Sequence, residues 1–78
     1  MIDEYLLQPL EEKTINRIKR IYFIGAKVQL VKMDDYQAPK KGSFGTVIGV
    51  DRYGSIKVKW DNGVILNVLN KIDKIKRI

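Results

Sequence analysis

The apolar positions change period once along the chain. Leu7, Leu10, Ile15, Ile18, Ile21 and Tyr22 recur mostly at three- and four-residue intervals, the spacing of one stripe on an α-helix. Pro9 suits a first helical turn, Glu11 and Glu12 suit the positive end of a helix dipole, and Gly25 suits a C-terminal stop. The spacing predicts an amphipathic helix over residues 11–23, after a leader over 1–10. From Gly25 onward the period becomes two. Val28 and Leu30 alternate with Lys27 and Gln29, a half-buried strand. A long connection from Met33 to Gly45 follows, then a strand over Thr46–Val50 and a turn at Asp51-Arg52-Tyr53-Gly54. Ser55–Trp60 alternates cleanly, with Ile56, Val58 and Trp60 on one face and Ser55, Lys57 and Lys59 on the other. Asp61-Asn62-Gly63 turns the chain into Val64–Leu69, and a short last strand is expected near Lys74–Ile78.

Register decides the last tight turn. A two-residue turn at Asn62-Gly63 would set Val58 against Asn67 and put an amide on the core face. A three-residue loop with Gly63 left-handed sets Trp60 against Val64, Val58 against Leu66 and Ile56 against Val68. The second arrangement keeps both apolar faces together, so it is the expected one. Four or five short strands, glycine turns and one long connection suggest a mainly β fold. The expected architecture is a small SH3-like barrel of about five strands over 24–78, closed or partly open, with the helix across one end or side.

Composition narrows the function. The 78 residues contain no cysteine and no histidine. That excludes disulfides, the usual Cys/His zinc sites and Cys–His or Ser–His nucleophilic machinery. No apolar run approaches the ~20 residues of a membrane span, and the first residues, Met1-Ile2-Asp3-Glu4-Tyr5, are acidic where a signal peptide is basic. A cytoplasmic protein with no membrane partner is expected. Residues 1–12 hold four acids and no base, whereas residues 13–78 hold all 15 Lys and Arg against five acids, a net of +10. Such a body favours polyanions through counterion release.

The five carboxylates of the body are Asp34, Asp35, Asp51, Asp61 and Asp73. Asp51 and Asp61 precede turn glycines, where an Asp side chain bonds backbone N–H groups two residues on. Asp34-Asp35 lacks the spacing of a calcium loop, and Gly42-Ser43-Phe44-Gly45 is too short for a phosphate loop and precedes a strand. No enzyme, cofactor or metal is expected. Trp60 is assigned to the core, with an indole N–H in need of a partner. Tyr36 and Phe44, with Lys40 and Lys41, offer stacking surface plus positive charge from the long connection. In the alternative reading Phe44 plugs the barrel end and Tyr36 packs under its own loop. Lys13, Arg17 and Arg20 form a basic stripe on the helix, either a solvated face or one that tracks phosphates. Lys57 and Lys59 face outward on one strand, Lys27 is a candidate to lie near them, and Lys71, Lys74, Lys76 and Arg77 crowd the end of the chain. The favoured partner is nucleic acid or a nucleic-acid-processing protein. The alternative is an acidic protein or peptide bound by an interaction module or an inhibitor of a host factor. The sequence leaves the oligomeric state open.

One spaced pattern adds to this. Gly25-x-x-Val28-x-Leu30-x-x-Met33-x-Asp35 is followed by Ala38-Pro39, then Gly42-x-x-Gly45-Thr46-Val47-x-x-Val50-Asp51. It continues as Gly54-x-Ile56-x-Val58-x-Trp60-Asp61-Asn62-Gly63, with Leu66 and Asp73 behind. This pattern resembles the domain-of-unknown-function 4314 family. The likeness covers about residues 13–78, because that family also carries a short basic helix before its first strand; Met1–Leu10 looks peculiar to this chain. The resemblance implies an SH3-like barrel from a Gram-positive bacterium, phage or conjugative element, and it implies no activity. A Gly-x-Val followed by turn and strand also resembles the KOW and Tudor corners of SH3-like barrels, modules that bind RNA, nucleic-acid machinery or chromatin peptides.

Overall fold

A computed structural model describes residues 9–69 and 72–78. One helix, α1 (Glu12–Ile21), precedes five strands: β1 (Lys27–Lys32), β2 (Phe44–Val50), β3 (Ile56–Trp60), β4 (Ile65–Val68) and β5 (Lys74–Arg77). All pairings are antiparallel in one sheet of order β4-β3-β2-β1-β5. The fold is mainly β. Of the leader expected over residues 1–10, residues 1–8 lie outside the described residues, as does Lys71.

The helix is shorter than the predicted span of 11–23. Its N-cap is Glu11, in extended conformation and without a side-chain cap bond. Pro9 therefore lies before the first turn rather than in it. The reason is tertiary: the Leu10 N–H donates to the Arg52 carbonyl at 2.9 Å, which holds this segment against the β2–β3 turn until the helix begins. At the other end Tyr22 leaves helical geometry while its N–H still reaches the Ile18 carbonyl. Gly25, at φ +93°, then turns the chain into β1. The apolar stripe is also narrower than expected. Ile15 is buried and Ile18 and Tyr22 pack against the core, but Ile21 sits on the flank and is 46% exposed.

Val28, Leu30, Val47, Ile56, Val58, Trp60 and Val68 form the core, with Ala26. These are the alternate positions on the inner face of the sheet, and β3 follows the buried–exposed pattern of period two without a break. Trp60 is buried to 1%, as its alternation requires, yet its Nε1 finds no hydrogen-bond partner among the described residues. The β3–β4 hairpin has the three-residue loop. Ile56 faces Val68, Lys57 faces Asn67 and Val58 faces Leu66. The Trp60 N–H donates to the Val64 carbonyl and Gly63 has φ +90°. In that loop the side-chain bond comes from Asn62, whose Oδ1 accepts the Val64 N–H at 3.0 Å, and not from Asp61 as expected. Asp51 does hold its turn: its Oδ1 accepts the N–H groups of Tyr53 and Ser55, each at 2.9 Å.

β2 starts two residues earlier than predicted, at Phe44, because Phe44 and Gly45 already pair with Gln29 and Val28 of β1. β4 and β5 each have a single strand neighbour, so the sheet curls without β4–β5 ladder bonds closing it among the described residues. A cavity of about 390 Å³ lies at that gap, lined by Ile18 of α1, by Tyr22 just past it, and by Val68 and Ile75 of the edge strands. The helix thus covers the inner side of an open sheet. No helix among the described residues is long and apolar enough to cross a membrane.

Candidate polyanion interface

The strands sort charge by sign. Together β1, β2, β3, β4 and β5 carry Lys27, Lys32, Lys57, Lys59, Lys74, Lys76 and Arg77, and no Asp or Glu. The five body carboxylates all fall in turns and connections, where three of them are engaged by backbone. Besides Asp51, Asp35 accepts the Gln37 N–H at 2.8 Å and Asp73 accepts the Leu69 N–H at 2.9 Å. Among the described residues the one ion pair is Lys13 with Glu11, at 3.7 Å between two exposed side chains. The lysines of the sheet have no carboxylate partner there.

Alternation aims most of these lysines at one face. With Val58 and Trp60 turned inward, Lys57 and Lys59 turn outward. Register then brings Lys27, Thr46 and Lys59 side by side on β1, β2 and β3, and Lys27 Nζ donates to Thr46 Oγ1 at 2.7 Å. Lys76 lies opposite Gln29, and Gln29 opposite Phe44. The outer face is therefore a cationic surface around one ring, with Phe44 46% and Ile65 54% exposed.

The predicted residues divide into groups on this frame. Lys57, Lys59 and Phe44 share the outer face, and Lys27 and Lys76 join them; Lys76 was legible only as part of the crowded chain end. Phe44 neither plugs the fold nor belongs to a loop: it opens β2. Tyr36, Lys40 and Lys41 stay on the β1–β2 connection, where Tyr36 is 96% exposed instead of packed beneath its loop. Lys13, Arg17 and Arg20 are exposed on α1, which reaches the core from the inner side. The fold does not merge them with Lys57 and Lys59. Arg77 is occupied differently, because its guanidinium lies 4.6 Å over the Phe23 ring, just past the helix.

No group of three or more Asp, Glu, His or Cys suited to a metal ion occurs among the described residues. The family model described as Domain of unknown function (DUF4314) matches residues 11–78. The chain belongs to that family. The match begins at the N-cap of α1 and takes in the helix and all five strands, so the surface just described belongs to the DUF4314 domain itself. No curated protein and no solved structure matches the chain significantly.

Proposed function

We propose that this DUF4314 chain is a non-enzymatic module that holds nucleic acid, or nucleic acid within a larger machinery, against the outer face of its sheet. The observation that carries the reading is the segregation of charge: seven basic residues and no acid on the strands, with no ion pair to these lysines among the described residues. A regular array of lysines with no acid on its strands suits a phosphate backbone, and exposed Phe44 and Tyr36 supply rings for unpaired bases. The four-strand meander followed by β5 beside β1, and the long first connection, fit an SH3-like sheet acting as a scaffold. The cytoplasm of a bacterium, phage host or mobile-element carrier is the setting that suits such a module.

Fluorescence anisotropy with labelled single- and double-stranded oligonucleotides tests this at about 50 mM and about 200 mM salt. Binding should weaken steeply with salt, by a slope of about −0.7 to −0.9 per phosphate contacted. Absence of binding near physiological ionic strength rejects the reading. The second reading, a module for an acidic protein or peptide, draws on an apolar groove at the end of α1. That groove holds about 380 Å³ between Tyr22, Phe23, Ile24 and Gly49, with Ile24 75% exposed. A partner that stays bound after nuclease treatment would favour it.

A further inference from the structure

The β1–β5 pair sets two like charges in register, and no ion pair among the described residues offsets them. On strict alternation Lys32 would follow Val28 and Leu30 into the core. Instead the register shifts between Leu30 and Lys32, leaving Val31 as an extra residue, and Lys32 is exposed directly opposite Lys74. Like charges directly opposite across a ladder destabilise it. The β1–β2 connection then brings a third cation to the same place. Lys32, Lys41 and Lys74 line one cleft of about 500 Å³, whose apolar walls include Met33 and Pro39. Asp34 is the one carboxylate at this cleft, and it is ion-paired to none of the three. A bulge that holds one lysine out of the core opposite a second, with a third lining the same cleft, makes physical sense when an anion sits among them.

We infer that this cleft is a phosphate-binding site. Resting on the nucleic-acid reading, its occupant is a phosphodiester of the bound strand, with half-buried Met33 giving apolar contact to the adjoining sugar or base. The chemistry recognised is a doubly or singly charged phosphate oxygen set that accepts from three ammonium groups.

The full chain, ¹⁵N-labelled, is titrated separately with inorganic pyrophosphate and with a short thymidylate oligonucleotide, following backbone amides by NMR. The amides of Lys32, Met33, Lys41 and Lys74 should move with both ligands. The double variant Lys32→Ala/Lys74→Ala should weaken pyrophosphate binding by about tenfold or more and reduce the oligonucleotide salt slope by about two. Lys19→Ala, at an exposed position of α1, should leave pyrophosphate binding unchanged. Without any anion the double variant should melt no lower than the parent, because it removes a repulsion. Lys41→Ala, on a connection outside the sheet, keeps the test decisive if the strand variant fails to fold. Scattered pyrophosphate shifts, or parent-like pyrophosphate binding by these variants, overturn the site. Oligonucleotide binding that leaves the cleft amides unmoved removes the cleft while sparing the nucleic-acid reading. Pyrophosphate binding in the cleft without oligonucleotide binding does the reverse, and assigns the site to a small phosphate compound.

Discussion

Two glycines carry different burdens. Gly63 has φ +90° and open space where a Cβ would stand, so its requirement is conformational. Gly63→Val should cost about 1–3 kcal/mol through backbone strain alone. Gly45 has no such strain but no room either: an added Cβ would meet Val58 Cγ1 at 2.5 Å and Trp60 Cε3 at 2.8 Å. Gly45→Ala should therefore cost about as much, ~1–3 kcal/mol, by forcing the core apart. Urea unfolding of the two variants, with Trp60 fluorescence as the readout, checks both values. The Trp60 emission of native protein should change in Gly45→Ala and not in Gly63→Val, because only the first displaces the ring. Asp51→Ala strips an acceptor from two backbone N–H groups at once and should cost about 1–2 kcal/mol. Asp51 was legible in the sequence from its place before a turn glycine. The role of Asn62 over Asp61 was not, since both side chains are competent there and loop geometry alone decides which one reaches Val64.

At the scale of elements, the helix docks by three side chains of its stripe. Ile15 is buried at 9% exposure while Ile21 is 46% exposed. Ile15→Ala should cost about 2–4 kcal/mol, and Ile21→Ala should stay within about 0.5 kcal/mol of the parent. Equal costs in thermal or urea unfolding would mean that α1 rests on a different face. The 3.6-residue period announced the helix but not its limits. Those depend on Leu10 bonding to Arg52 and on Gly25 bonding to Val47, contacts between segments far apart in the chain. The β3–β4 register, by contrast, was readable residue by residue, because a slip of one position would have put Asn67 into the core. The β1–β5 bulge has no local sign: Val31 and Lys32 look like the continuation of a strand until β5 is set beside them.

For the molecule as a whole, the body carries its charge with few internal counter-charges. Residues 13–78 hold 15 Lys and Arg against five acids, and the described ion pair is a solvated one on the helix. Such a surface repels itself, and salt screens repulsion between exposed charges more than about 10 Å apart at 0.1 M. The melting temperature should rise as sodium chloride is increased from about 20 mM to about 300 mM, measured by circular dichroism. A fall would mean that favourable pairs, and not repulsion, dominate the native state. Binding to a polyanion should show the opposite trend and weaken over the same range, so the two titrations separate fold from interface.

Periodicity alone determined the mainly β class, the leading helix, the inward set around Trp60 and the outward lysines of β3, because alternation is a property of neighbouring residues in one strand. Net charge likewise followed from composition. Which cations share a face came only from pairing. Lys27 meets Lys59 through Thr46, Lys32 meets Lys74 at a bulge, and the helix cations are left on another side. These juxtapositions join residues up to 42 positions apart, and no local pattern encodes them. They exist because strand order and register, selected by burying the apolar face, carry the polar face along with them.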